Sequence, residues 1–199
     1  MTTDNIINLL KSDLNRYYQI DGRSINPSLQ SKVQLMLFSY GLHAIMVYRL
    51  GQYLKKYISK NVLLNYVAWP LYLVLNKFMH ILYGIYISPE ASIEGGLYIG
   101  HLGGIRINNC VIGKNCSVHQ QTTIGTYEND KERPLIGDYV WIGAHSCINN
   151  NIIIDDHATI AAGSVVTKNV KERTLVMGNP ARVSINNYNN QFLLGINSI

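Results

Sequence analysis

The chain has 199 residues and a mass of 22.4 kDa, which suits one compact domain, or one domain plus a short appendage. Hydrophobic residues make up 47% and charged residues 15%, so the chain can bury a sizeable core and is not a disordered segment. The net charge of +5 is uneven: residues 1–86 carry nine Lys and Arg against three acids, residues 87–199 eight against nine, and no nucleic-acid reading motif accompanies the basic half. Nucleic acid is therefore not an expected partner.

Three cysteines, Cys110, Cys116 and Cys147, without CxxC spacing indicate neither a disulfide framework nor a zinc ribbon. They read as small core fillers. The N-terminus is polar and places Asp4 before any basic residue, unlike a signal peptide. The expected setting is cytoplasmic, extending to the inner face of the membrane.

Residues 1–86 form an α-helical N-terminal segment holding ten of the fourteen tyrosines. Asp4 to Tyr18 has Ile6, Ile7, Leu10 and Leu14 on one face, an amphipathic helix. Asn26-Pro27-Ser28 reads as a turn and helix start, followed by the run Leu29 to Tyr57. A third run, Val62 to Tyr86, is interrupted by Pro70 and contains Asn65, Asn76, Lys77 and His80. Those polar positions argue against a transmembrane span. A helix buried against the domain or a partner subunit is the simpler reading. A peripheral membrane contact through these basic, aromatic helices lies between.

From Ile87 the sequence repeats every six residues, with aliphatic residues at Ile87, Ile93, Ile99 and Ile105. After a one-residue slip they resume at Ile112, Val118, Ile124, Ile136, Ile142, Ile148, Ile154, Ile160 and Val166. A small residue or cysteine often follows four places on, as at Ala91, Cys116, Ser146 and Ala158. A period of six matches neither the helix nor the single strand. It matches a short strand plus a turn, stacked as one face of a prism with the aliphatic residue pointing inward. Thirteen such positions at three per coil predict roughly four coils of a parallel β-helix over 87–183, with a polar tail at 184–199. Between Ile124 and Ile136, Asp130 stands where an aliphatic residue is due, so 126–135 reads as a loop extruded from the coil.

These residues resemble the hexapeptide-repeat acyltransferases, and more narrowly their serine O-acetyltransferase branch. The resemblance spans roughly Phe38 to Val183. It rests on Tyr40-Gly41-Leu42-His43-Ala44 with Tyr48-Arg49, Ile87-Ser88-Pro89-Glu90-Ala91, His101-Leu102-Gly103-Gly104-Ile105, and Gln120 to Gly125. At the end come Ala162-Gly163-Ser164-Val165-Val166 and Gly178-Asn179-Pro180-Ala181-Arg182. It implies a mainly β fold, a left-handed parallel β-helix preceded by helices, assembled as a homotrimer and using acetyl-CoA without a metal. His101 falls at the position of the family's base, and a histidine, ordinarily titrating near 6.5, suits deprotonation of an alcohol. Gly103 and Gly104 stand where an oxyanion would need donors. Gly143, Ala144, Ala161, Ala162 and Gly163 fall in the coenzyme-binding coils, with Lys168 and Arg182 placed to meet phosphates.

The departures point to the acceptor. The family has Asp immediately before its base and a second Asp fifteen positions earlier; here these are Gly100 and Tyr86. Arg133 precedes Pro134 where the family has a His. An amino acid's ammonium wants a carboxylate partner, so the expected acceptor is a sugar or glycan hydroxyl in surface polysaccharide synthesis, with serine as the alternative. His119, three hexads beyond His101, reads as a second catalytic group, an acceptor ligand or a stacked turn residue. Trp141 and Tyr139 are candidates for stacking on a sugar or an adenine. His145 and His157 sit at loop-like positions facing solvent. A zinc carbonic anhydrase and a catalytically dead scaffold are two further readings. The spacing of 101, 119, 145 and 157 does not suit the former, and loss of coenzyme binding would mark the latter.

Overall fold

The computed structural model describes residues 3–20, 28–58, 62–101, 103–125, 132–149 and 151–196. The expected turn at Asn26-Pro27 and most of the extruded loop, 126–131, lie outside the described residues. Four helices come first: α1 (Thr3–Ile20), α2 (Leu29–Phe38), α3 (Tyr40–Tyr53) and α4 (Val62–Tyr83), with a π-helical turn at Leu54–Ile58. Ser28 starts α2, its Oγ accepting the Ser31 N–H at 3.2 Å. The run Leu29 to Tyr57 is thus not one helix. It breaks at Ser39, whose backbone is extended. The new direction brings Gly41 against the backbone of Ile99, where any side chain would overlap the Ile99 carbonyl. Pro70 lies within α4 without ending it. The helix stops at Tyr83, and Gly84, with φ of 64°, turns the chain into the first strand. Among the described residues no helix is long and apolar enough to cross a membrane.

The remainder winds into a parallel β-helix with three faces. The first face stacks Ile85–Ile87, Ile105–Ile107, Thr123–Ile124, Cys147–Ile148 and Val165–Val166. The second stacks Ser92–Ile93, Val111–Ile112, Leu135–Ile136 and Ile153–Ile154. The third stacks Tyr98–Gly100, Ser117–His119, Trp141–Ile142, Thr159–Ile160 and Leu175–Met177, and the antiparallel strand Arg182–Ile185 closes its far edge. Aliphatic residues fill the axis: Ile112, Val118, Ile124, Ile142, Ile148 and Ile160 are all inaccessible. The small residues four places on line the inside of the corners, and Cys116 and Ala158 are likewise fully buried. Burial pushes the Cys110 and Cys116 thiols up to about 12, which makes them inert core fillers.

Two features depart from the simple repeat. The β-helix has a fifth coil, because Val170 bridges to Ile154 and Val176 stacks on Ile160. The step from Val166 to Val170 is four residues, so a strict count of six misses it. The slip also lies elsewhere than the spacing predicts. Ile107, not Ile105, stacks between Ile87 and Ile124. Eight residues therefore separate Ile99 from its successor, and the corner holding His101 is two residues longer than a hexad.

The first coil has no coil above it, and its exposed peptide groups are satisfied by side chains of α1 and α3. Asp13 accepts from the N–H groups of Gly96 (2.7 Å) and Leu97 (3.1 Å). The Tyr17 hydroxyl accepts from Ile99 N–H at 3.1 Å and donates to its carbonyl at 3.4 Å. The Tyr48 hydroxyl accepts from Ile93 N–H and donates to the Ala91 carbonyl at 2.7 Å. Arg49 donates to the carbonyls of Ile93 (2.6 Å) and Glu94 (2.7 Å) and pairs with Asp13 at 2.9 Å. Asp13 and Arg49 are both essentially inaccessible to solvent. Removing one partner of a buried pair leaves the other charge uncompensated. Asp13→Ala is expected to lower the unfolding free energy by about 3–5 kcal/mol in urea denaturation, whereas Lys55→Ala, which breaks the exposed pair with Glu90, should change it by about 1 kcal/mol or less.

Candidate active site

The expanded corner between the third and first faces is built for tight backbone approach. His101 takes a left-handed conformation with φ of 69°, followed by Gly103 at 92° and Gly104 at 68°. Such a conformation costs a residue with a Cβ about 1 kcal/mol. The corner is tied to the end of α4: Gly103 N–H donates to the Tyr83 carbonyl at 3.0 Å, and Ile105 N–H to the Gly84 carbonyl at 2.9 Å. A side chain at Gly104 would overlap the Gln121 amide beneath it. The Gly103 N–H is thus committed within the fold.

His101 itself is exposed and lines a cavity of about 440 Å³ between this corner and the helices. Tyr17, Phe38, Ser39, Tyr40 and Gly41 form the helical wall, Tyr98 and Ile99 the floor. The ring of His119 lies 6.4 Å from that of His101. His119 pairs in register with Gly100 on the strand above, and the same register places Gly143 on the strand below. A Cβ on Gly100 would come within 2.8 Å of His119 Nδ1. The imidazole therefore occupies the space that a side chain at position 100 would fill. Trp141 packs on it at 4.8 Å and Tyr98 approaches at 6.4 Å. Burial first, and the neighbouring His101 second, hold the His119 imidazole below the ordinary histidine range. At pH 7 it is a neutral hydrogen-bonding group beside the exposed His101.

The other sequence-derived candidates fall elsewhere. Tyr86 lies on the first face, its ring 5.7 Å from His80 and under the Arg106 guanidinium, in a second cavity that does not include His101. Arg133 is exposed beside the second face. Gly143, Ala144, Ala161 and Ala162 line the stacked coils two to three levels further along, where Gly143 N–H bonds the Ile160 carbonyl and Gly163 N–H that of Ala144. A Cβ on Gly143 would collide with the Ala162 backbone and the Trp141 ring. Ala162 and Gly163 are exposed, and nothing lies within 4 Å of a Cβ placed on Gly163, which leaves an open shelf for a ligand. Lys168 and Arg182 are exposed; Arg182 donates to the carbonyl of Ala181. His157 is not simply solvent-facing, since its ring stacks flat on Tyr139 at 5.0 Å. Sequence reasoning missed the helical wall of the His101 cavity. The Tyr40-Gly41 motif was the available signal. Among the described residues no three His, Cys, Asp or Glu converge as a metal would require.

Residues 133–168 match the family described as bacterial transferase hexapeptide (six repeats). A serine acetyltransferase of Staphylococcus epidermidis is 32% identical over 177 residues, covering 87% of this chain and 76% of the relative. The crystal structure of a Neisseria gonorrhoeae serine acetyltransferase in complex with serine superposes with a TM-score of 0.74 at 31% identity, covering 90% of this chain and 69% of that one. A serine acetyltransferase in complex with CoA superposes with a TM-score of 0.74 at 28% identity, covering 92% and 71%. These matches overturn the expected sugar or glycan acceptor. That expectation rested on carboxylates missing at 86 and 100, yet the relatives aligned over nearly the whole chain are serine acetyltransferases. At position 100 the missing group marks a space that His119 fills, which says nothing by itself about a sugar.

The neutral state of His119 is directly measurable. In an NMR titration its imidazole should show a midpoint below the ordinary 6.5. Replacing His101 with Gln should raise that midpoint only part of the way, because burial is the larger cause. A midpoint at or above 6.5 in the unaltered protein would contradict the packing described. Folded protein binds fewer protons here than unfolded protein, so this group's contribution to stability is full above about 6.5 and declines as pH falls.

Proposed function

Because the chain belongs to the serine acetyltransferase family of hexapeptide-repeat transferases, we propose that it transfers the acetyl group of acetyl-CoA to the hydroxyl of L-serine. The single observation that carries this reading is the 32% identity to a serine acetyltransferase over 87% of the chain. The fold is accordingly the left-handed form of the parallel β-helix, and the protein is an acetyltransferase. His101 is the general base. It takes the hydroxyl proton as the serine oxygen bonds to the thioester carbonyl carbon, and the resulting tetrahedral intermediate expels the CoA thiolate. The thiolate then takes up the proton from His101, which returns the base to its starting state. His119, neutral and held by Trp141, orients the acceptor by hydrogen bonding. Geometry supports the pairing: the exposed imidazole lines the large cavity, and the buried one stands 6.4 Å away.

The donor would lie along the later coils. Ala162 and Gly163 leave room for the pantetheine arm at the corner, and the exposed Lys168 and Arg182 supply cations for its phosphates. The enzyme works as a homotrimer with each site between adjacent prisms. The second face supports this assembly, since it presents Leu135 and Ile153, 41% and 44% exposed, in one outward column.

Release of CoA thiol from acetyl-CoA by purified protein is expected to depend on L-serine. Replacing His101 with Ala should lower turnover by roughly 10²–10⁴-fold while leaving CoA affinity nearly unchanged. Turnover of that variant at the wild-type rate would remove His101 from the chemistry. Absence of L-serine-dependent release from wild-type protein would remove the acceptor assignment.

A further inference from the structure

The polar and apolar sides of α4 are inverted. Its polar residues Asn76 and His80 face the protein, Asn76 donating to the Ile87 carbonyl at 3.4 Å and His80 packing on the Tyr86 ring at 5.7 Å. Tyr72, on the same side, is fully buried and fills the space that a side chain at Gly51 of α3 would need. The opposite side carries Val67, Leu71, Val74, Phe78 and Ile81, which recur every three or four residues and are between 52% and 74% exposed. A helix lying on a domain in water has the reverse pattern. Single apolar residues on a surface are ordinary, but five in one stripe along about four turns mark a contact with an apolar phase or partner.

Charge decides between the two. Residues 22–89, which include α2, α3 and α4, contain seven Lys and Arg and no Asp or Glu. Arg49 is committed to Asp13 and Lys55 to Glu90, both carboxylates lying outside that segment. Lys77 is exposed and, one position before Phe78, borders the stripe. Tyr66, 81% exposed, lies three turns earlier on the same margin. Two copies of the chain meeting through this face would bring cations together with no carboxylate of the same segment between them. The second face differs, since it sets its apolar column of Leu135 and Ile153 beside Asp155, Asp156 and Glu172. An anionic lipid surface suits both parts of the α4 pattern: the acyl region receives the aliphatic stripe, and the phosphates meet the lysine at its margin. An aromatic ring at that margin suits the headgroup level. Among the described residues no helix is long and apolar enough to cross a membrane, so α4 lies along the bilayer instead of through it.

We infer that the outer side of α4 docks on a membrane surface containing anionic phospholipid, with Val67, Leu71, Val74, Phe78 and Ile81 entering the acyl boundary and Lys77 at the headgroups. The inference does not depend on the identity of the acetyl acceptor. The docked helix is joined to the site, because the Tyr83 carbonyl at its end accepts from the Gly103 N–H of the corner that presents His101.

Flotation of the full chain with phosphatidylcholine vesicles, with and without phosphatidylglycerol, tests the docking. The expected result is binding to the phosphatidylglycerol vesicles that exceeds binding to phosphatidylcholine alone and weakens with added salt. The double variant Leu71→Gln/Phe78→Gln should reduce it about tenfold or more, and Lys77→Gln by a smaller factor. Phe192→Gln, which alters an exposed aromatic residue in the tail, should leave it unchanged. Full binding by the double variant, equal binding to the two kinds of vesicle, or no binding to either overturns the docking surface. Sedimentation velocity without lipid examines the competing occupant. A smaller assembly for the double variant than for wild type would show that another copy of this chain covers α4, and would overturn the lipid assignment. Thermal unfolding verifies that the variants are folded, and none of these readouts uses acetyl transfer.

Discussion

The edge of the first coil is the constraint from which the rest of the arrangement follows. A stacked β-helix satisfies the peptide groups of each coil with the next, so its first coil presents a row of donors and acceptors with nothing to meet them. Here that row is met by Asp13 and Tyr17 from α1 and by Tyr48 and Arg49 from α3. The helices are therefore hydrogen-bonded to the solenoid at specific peptides, not merely packed on it. Because Tyr17 grips the N–H and the carbonyl of Ile99, the helical wall of the His101 cavity is fixed relative to the imidazole two residues further on. Capping the solenoid and shaping the site are one structural act.

Regular coils leave little freedom for chemistry. Each hexad commits its aliphatic residue to the axis and its corner to the coil beneath, so a side chain can leave the stack only where the chain is longer than the repeat requires. The corner at His101 is such a place. Its two extra residues are accommodated by left-handed backbone at His101, Gly103 and Gly104 and by the close contact of Gly84 with Gly103. Glycine is required at 84 and 104 because the neighbouring backbone and Gln121 occupy the space of a Cβ. His101 is thereby lifted out of the ladder and presented to a cavity, while Ile99 and Ile107 on either side remain in the core.

The six-residue period made the solenoid, its three faces and most of the axial residues legible, since each depends only on where aliphatic residues recur. It did not reveal which corner is expanded. Ile105 and Ile107 are both buried and both aliphatic, so the spacing is satisfied by the wrong one, and only the pairing of Ile107 with Ile87 and Ile124 decides. The fifth coil was hidden for the related reason that Val170 follows Val166 by four. Tyr48-Arg49 stood out as a motif, but its purpose lies in contacts with residues more than forty positions away, which no local pattern encodes. The acceptor was misjudged because the inference ran from residues that are missing, and a missing side chain leaves a space whose new occupant the sequence does not announce.

Position 100 shows why such substitutions have to be read in pairs. With glycine there, the His119 ring can lie across the strand, within 2.8 Å of where a Cβ would stand. Any side chain at 100 would push the imidazole off Trp141 or out toward His101, changing both its burial and its distance from the His101 ring. Those are the two quantities that keep His119 neutral. A residue at 100 and the protonation of a ring nineteen positions later are consequently one variable. The arrangement at this corner places an uncharged imidazole where a side chain at position 100 would stand, and so sets the electrostatic field around the exposed His101 ring 6.4 Å away.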